Sequence, residues 1–299
     1  MNHLHEKARR FLESCNTEEG GVLRKIEYIQ KTLWVGHPAI KEIEEKMDDI
    51  LKYPRIGRMP NLLILARSNN GKSTLLTRFA KKNLAVSDAD AGCVKAEVIA
   101  FVMPEGPTEK LFLSAILRAT SLSSKRTDTY KEMYDKVLNI VGHLKTKVIL
   151  IDEIHHIGAG APKQQRLLMN LMKNFTTIFG LSFIAAGTAE ARNVFASDEQ
   201  LSNRFVQTII PIWKDDKDFQ NLLYSFESLL PFEERSGLVG MSSYILDRTD
   251  RTIGNIYDLL KAASITAINK GEKHISKKRL ANCGHLSPAD LANEKKRTI

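Results

Sequence analysis

Residues 61–76 read Asn61-Leu-Leu-Ile-Leu-Ala-Arg-Ser-Asn-Asn-Gly-Lys-Ser-Thr-Leu-Leu76: an apolar run, a polar loop, and a second segment with apolar residues at helical spacing. The central stretch, Ala66 to Ser73, follows the Walker A pattern G-x-x-x-x-G-K-[ST] between a buried strand and a helix start, the context that pattern requires. Amides of such a loop and of the following helix N-terminus form an anion site. Ala66, Arg67, Ser68, Asn69, Asn70, Gly71, Lys72, Ser73 and Thr74 are therefore expected to hold ATP. Lys72 would reach the β- and γ-phosphates, and the Ser73 hydroxyl would ligate Mg²⁺. Ala66 stands where the pattern has its first glycine, and alanine can hold that position only at negative φ.

A phosphate loop alone predicts nucleotide binding, not hydrolysis. The second half lies at Lys147-Val-Ile-Leu-Ile-Asp-Glu153, an apolar strand that delivers two carboxylates to its C-terminal end, about 80 residues after the loop. Asp152 is expected to hold Mg²⁺, and Glu153 to polarise the attacking water. A further strand ends in Ala185-Ala-Gly-Thr188, where Thr188 can sense the γ-phosphate and orient water; a plain turn would read the same way. Arg204, in Gln200-Leu-Ser-Asn-Arg-Phe205, precedes the last strand. In a ring or filament of ATPases an arginine there projects toward the neighbour's nucleotide as an arginine finger. His155 and His156 do not make a zinc site: adjacent residues of a helix point in different directions, and no Cys or further His has ligand spacing. They are expected to pack or hydrogen-bond beside the Asp-Glu pair.

Composition narrows the class. The 299 residues carry a formal net charge of +9, a surplus of cations that suits a nucleic-acid partner. The three cysteines, Cys15, Cys93 and Cys283, have no paired spacing, which argues for a reducing compartment without disulfides. No stretch is long and apolar enough for a membrane span or a signal core, so a cytoplasmic protein with no membrane partner is expected.

Strands are predicted at 61–65, 97–102, 147–152, 181–186 and 205–210, separated by helical stretches. That alternation predicts an α/β fold with a five-stranded parallel sheet and ligands at the strands' C-terminal ends. Ahead of it, Pro38 opens a helix carrying Ile40, Ile43, Met47, Ile50 and Leu51 on one face. After Lys214 strand-like runs stop, and two or three amphipathic helices follow, one over 253–268. The expected organisation is an N-terminal helical extension (1–54), the P-loop α/β domain (55–212), a small all-helical lid domain (213–281) and a basic tail (282–299).

The order of these motifs resembles that of the AAA+ P-loop ATPases, and several stretches resemble one branch, the TniB family. These are Arg58-Met-Pro-Asn-Leu-Leu-Ile-Leu-Ala-Arg-Ser-Asn-Asn-Gly-Lys-Ser73, Ile151-Asp-Glu-Ile-His155, Gly187-Thr-Ala-Glu-Ala191, Asp198-Glu-Gln-Leu-Ser-Asn-Arg-Phe205, Pro211-Ile-Trp213 and Leu229-Leu-Pro-Phe232. The likeness covers roughly residues 20–270. It implies a target-selection ATPase of a DNA transposon, related to the TnsC and MuB regulators. Such a protein assembles with ATP on double-stranded DNA as a homo-oligomeric ring or helical filament, recruits a DDE transposase, works with an adaptor of the TniQ type, and disassembles on hydrolysis.

The resemblance also implies a DNA contact in the insertion after the second strand, through Lys110, Arg118, Lys125 and Arg126. Leu111, Phe112, Leu113, Ile116 and Leu117, interleaved with these cations, would serve as core. Contacts to backbone phosphates alone would suit varied targets. The chain departs from the family pattern at Ala66 and in an indistinct sensor-2 position, for which Arg251 is the candidate and Arg248 the alternative. Slow hydrolysis, stimulated by the oligomer or DNA, is the consequence. Competing expectations are a helicase-loader-like, clamp-loader-like or secretion AAA+ ATPase, or a nucleotide-gated DNA scaffold with negligible turnover. The two ends, with Lys7, Arg9 and Arg10 near Phe11 and Leu12, and Lys295-Lys-Arg297 at the other terminus, are expected to contact partner proteins.

Overall fold

The computed structural model describes residues 4–15, 21–32, 38–55, 57–88, 93–196 and 203–285. Residues 200–202 of the expected finger motif and most of the basic tail, 286–299, lie outside them. The described residues form two compact units, one of residues 39–211 and one joining residues 1–38 to 212–299.

The first unit is built on five strands: β1 (Asn61–Leu65), β4 (Val98–Val102), β5 (Val148–Asp152), β6 (Ser182–Gly187) and β7 (Phe205–Ile209). They form a sheet in the order β4-β5-β6-β1-β7 with every pair parallel, as expected. The apolar runs of β1, β5 and β6 are buried nearly end to end because helices cover both faces. Period-two alternation divides these strands between two cores. Leu63, Leu65, Ile149, Ile151, Phe183 and Ala185 pack on one face with Phe112 and Ile116 of α5 (Glu109–Ala119), Val137 of α6 (Tyr130–His143), and Leu168 and Phe175 of α7 (Pro162–Ile178). Leu62, Ile64, Val148, Leu150, Ile184 and Ala186 face the other way. There they meet α4 (Lys72–Lys82) and the predicted apolar stripe of α3 (Pro38–Lys52).

Asn61 ties three strands together. Fully buried at the start of β1, it accepts from the Phe183 N–H (2.7 Å) and donates to the Arg204 carbonyl (3.2 Å). A short hairpin, β2 (Val86–Asp88) with β3 (Cys93–Lys95), precedes β4 and was not anticipated. Its strands, Val-Ser-Asp and Cys-Val-Lys, are three residues each, too short an apolar pattern to announce it.

The second unit contains α1 (Glu6–Cys15), α2 (Gly21–Thr32), α9 (Lys217–Leu229), α10 (Ser242–Arg248), α11 (Ile253–Asn269) and α12 (Lys277–Ala281). Its core gathers Trp213, Phe219, Phe226, Ile256 and Leu260 with Ile29 of α2. Phe11 stacks on Tyr28 at 4.2 Å, and the His5 N–H donates to the Ser228 carbonyl (2.9 Å). Residues 1–38 therefore group with the C-terminal helices instead of forming an extension that runs to residue 54, and α3 belongs with the sheet. An amphipathic stripe announces that a face is buried but not against what. α8 (Ala189–Ala196) completes the first unit. No described helix is long and apolar enough to cross a membrane.

Candidate nucleotide site at the sheet edge

The loop after β1 turns tightly into α4. Asn69 (φ 57°) and Gly71 (φ 86°) both adopt the left-handed conformation, the alternation that points successive amides into a concavity. Ala66 is not among the positive-φ residues, so the missing glycine does not disturb the turn. Its N–H donates to the Gly187 carbonyl (3.1 Å), stitching the loop to β6. Asn70, only 1 % exposed, donates from Nδ2 to the carbonyls of Ile210 (3.2 Å) and Pro211 (3.0 Å). Pattern reading named it only among the nucleotide-binding residues and did not foresee that its side chain anchors the loop. The first helical bond of α4 runs from the Leu75 N–H to the Gly71 carbonyl (2.9 Å). The amides of Lys72, Ser73 and Thr74 lie ahead of it, outside the helix's own ladder, where an anion is favoured. Arg67, Ser68, Asn69, Ser73 and Thr74 are exposed.

Lys72 is the electrostatic centre. It is 5 % exposed, and Nζ donates back to the carbonyls of Ala66 (3.2 Å) and Arg67 (3.0 Å). Burial pushes its ammonium below lysine's ordinary range, and the nearby Glu153 and Asp152 carboxylates partly offset this. The chain thus brings Lys72, Asp152 and Glu153 within electrostatic reach of one another, although β6 lies between β1 and β5.

Asp152 ends β5 half-buried and accepts the Glu153 N–H on Oδ1 (2.9 Å). Glu153 itself takes φ 53°, ψ 40°, uncommon for a residue with a side chain. Beyond it the chain makes a 3₁₀ turn, Ile154–Ala159. His156 Nδ1 lies 2.9 Å from the Met103 carbonyl, joining the ends of β5 and β4. His155 Nδ1 lies 3.1 Å from Glu153 Oε2. Both histidines therefore pack beside the acids.

Gly187, at the tip of β6, has no room for a side chain: a Cβ would stand 2.9 Å from Ile154 Cγ2 and 3.3 Å from the backbone nitrogen of His155. Thr188 follows, and its Oγ1 is buried without a hydrogen-bond partner among the described residues. An unsatisfied buried hydroxyl calls for an explanation, and a bound phosphate or water would supply its partner. The donor set suits the expected ligands. The loop offers amides and one desolvated cation to phosphate, and Ser73 and Asp152 offer the oxygen ligands a hard cation such as Mg²⁺ prefers.

Arg204 lies elsewhere in the same unit. Arg204 precedes β7, whose first residue pairs with Asn61 at the start of β1, so it occupies the opposite edge of the sheet from Lys72. Its Nη1 donates to Thr176 Oγ1 (3.0 Å) and Thr177 Oγ1 (2.7 Å) of α7. Arg251 and Arg248 belong to the helical unit. Arg251 is exposed at φ 60°, and Arg248 Nη2 donates to the His285 carbonyl (3.0 Å).

Among the expected DNA residues, Arg118, Lys125 and Arg126 are exposed. Lys110 Nζ donates to the Asp128 carbonyl (3.0 Å). The Asp128 carboxylate accepts from Lys136 Nζ (2.7 Å) and the Lys125 N–H (2.8 Å), and the Lys136 bond holds it below the usual carboxylate range. The loop between α5 and α6 is thus fastened, and Lys110 is one of its fasteners. Of the five apolar residues expected as core on α5, Leu111 is 42 % exposed; the other four are buried.

Comparison with known proteins agrees with this architecture. The family described as Bacterial TniB protein matches residues 25–215. No curated protein sequence matches the chain. Among solved structures, the Aeropyrum pernix ORC1 protein in complex with DNA is similar at TM-score 0.64 and 16 % identity, covering 92 % of this chain and 72 % of that one. The Aeropyrum pernix ORC2 protein in its ADPNP–ADP complexes gives 0.58 and 16 %, over 85 % and 70 %. The Cdc6p protein of Pyrobaculum aerophilum gives 0.60 and 16 %, over 83 % and 67 %. Identity at that level establishes a shared fold and nothing finer. With a parallel sheet of five strands, a phosphate-loop turn and a family match over most of its length, the chain belongs to the bacterial TniB family and has the AAA+ P-loop NTPase fold.

Proposed function

We propose that this protein is an ATP-dependent, DNA-binding ATPase that oligomerises on double-stranded DNA and presents target DNA to a DDE transposase. The observation that carries the nucleotide part is the convergence of the desolvated Lys72 with Asp152 and Glu153. A buried cation between a phosphate-loop turn and two carboxylates is a poor structural element and a good phosphate clamp. The loop amides and Lys72 bind the phosphates. Glu153 orients and polarises the attacking water, and Thr188 steadies it from the tip of β6. Ser73 and Asp152 would hold Mg²⁺, which when bound neutralises charge on the phosphate oxygens.

The DNA part rests on three observations. The chain has a formal net charge of +9, and Arg118, Lys125 and Arg126 are exposed around one fastened loop. The Aeropyrum pernix ORC1 protein, of similar fold, was solved with DNA. Family membership supports the transposition role, with an adaptor of the TniQ type as a further partner.

The test combines assembly with turnover. Protein, duplex DNA and a non-hydrolysable ATP analogue are mixed and imaged by electron microscopy. Rings or filaments should form only with both ligands, and a monomer under all conditions sinks the proposal. Glu153→Gln should assemble with ATP itself and persist on DNA, with phosphate release reduced about 10²–10⁴-fold, the worth of a general base.

A further inference from the structure

The backbone of Glu153 is tightly determined. Its N–H is engaged by Asp152 Oδ1, and its carbonyl accepts the His156 N–H (3.0 Å). Ile154 is fully buried next to it. A left-handed residue with a side chain persists only under such constraint, and such residues gather at functional sites. The carboxylate is less constrained, since the glutamate side chain turns about three torsions beyond that backbone.

One polar group that faces it is His155, whose Nδ1 stands 3.1 Å from Oε2. That nitrogen is buried and has no aligned hydrogen bond among the described residues. The ring itself is held, edge-on to His156 at 4.8 Å and 60°. His156 cannot substitute, because its own Nδ1 is engaged at the Met103 carbonyl. A buried ring nitrogen without a partner is costly. One within hydrogen-bond distance of a carboxylate needs only a rotation of that carboxylate to be satisfied, and catalytic hydrogen bonds are often misaligned before substrate binds.

We propose that His155 is a positioning residue for Glu153: its Nδ1–H donates to Oε2 and leaves Oε1 to face the attacking water. This rests on the hydrolysis reading given above and adds to it the residue that fixes the base. The logic is that of histidines oriented by a neighbouring carboxylate in metal sites, with the roles reversed.

The experiment uses the full chain and two substitutions, His155→Asn and His155→Ala. The asparagine amide can place an N–H where Nδ1–H stands, and alanine cannot. With DNA present, His155→Ala should lose about tenfold or more in kcat, with KM for ATP within about twofold of wild type. His155→Asn should recover most of that loss. Wild-type kcat in the alanine variant overturns the proposal. So does an equal loss in both variants accompanied by a lower Tm, which would mark a packing role.

A second measurement does not depend on turnover. In ¹⁵N spectra of the histidine rings, Glu153→Gln should shift the His155 Nδ1 signal and leave that of His156 in place. An unmoved His155 signal shows that the two groups do not pair, and the proposal falls. Wild-type protein that binds ATP but releases no phosphate, with DNA or without, defeats the hydrolysis reading instead, and the ring-nitrogen comparison still decides the pairing.

Discussion

Lys72 shows at the scale of one residue how a site opposes stability. Its ammonium is removed from water, held by two carbonyls, and lowered in pKa by burial. The unfolded chain therefore binds that proton more tightly than the folded one. Stability rises with pH wherever the unfolded state holds more protons. The nucleotide-free protein should thus gain stability from Lys72 as pH climbs from its lowered folded value toward lysine's ordinary ~10.4. Urea unfolding of wild type and Lys72→Met across pH 7 to 10.5 isolates the effect, and the difference between them should move in favour of wild type with rising pH. Saturating nucleotide should flatten the curve, because phosphate charge stabilises the ammonium. A difference independent of pH would show that Lys72 is not desolvated as described. Lys72→Met should in any case lose ATP binding, having lost the cation proposed to meet the phosphates.

At the scale of elements, the contact between β6 and the turn after β5 decides whether Thr188 and Glu153 share a site. Gly187→Ala would place a methyl 2.9 Å from Ile154 Cγ2 and 3.1 Å from Ala191 Cβ. Overpacking of this kind costs about 1–3 kcal/mol, so a lower Tm is expected. Turnover measured well below that Tm should fall further than nucleotide affinity does, because the displaced elements carry Glu153 and Thr188, the groups proposed to orient the water; an unchanged kcat would detach Thr188 from the reaction.

The loop between α5 and α6 makes a second prediction. Arg118→Ala, Lys125→Ala and Arg126→Ala should each weaken binding to all DNA sequences alike. Each should also flatten log K against log salt by about 0.9 for every phosphate the variant no longer neutralises. Lys110→Ala should behave differently, lowering Tm with little change in salt slope, since its Nζ fastens the loop at Asp128.

That contrast marks what a sequence can disclose. The five strands, the phosphate loop and the Asp-Glu strand end were legible because their signals are local: apolar runs, a fixed spacing and a glycine before a lysine. The anchoring of Lys110 eighteen residues away, the clamp of Asn70 on Ile210 and Pro211, and the joining of α2 to the C-terminal helices are long-range contacts, which periodicity does not encode. The left-handed backbone of Glu153 was equally hidden, because glutamate does not announce positive φ.

For the whole molecule the decisive question is whether one copy is a complete enzyme. Arg204 and Lys72 lie at opposite edges of the same parallel sheet. β1 and β7 run five residues in register between those edges, a rise of about 17 Å at 3.3–3.4 Å per residue. An arginine on the far edge cannot reach its own chain's phosphates through a packed sheet, so any catalytic use of it requires a second copy. Its bonds to Thr176 and Thr177 hold it on the α7 side. Arg204→Ala should bind nucleotide normally but lose DNA-stimulated turnover, by about 10³-fold or more if it acts as an arginine finger does elsewhere. Mixing then separates a role between copies from damage within one. Glu153→Gln keeps its nucleotide and an intact Arg204 but lacks the base, and Arg204→Ala keeps the base but lacks the arginine. Combined on DNA, the two should recover a measurable share of wild-type phosphate release, since the arginine of one copy completes the site of the other. If the mixture stays as inactive as its components while both variants still co-assemble, Arg204 serves the fold of its own chain and the finger lies elsewhere.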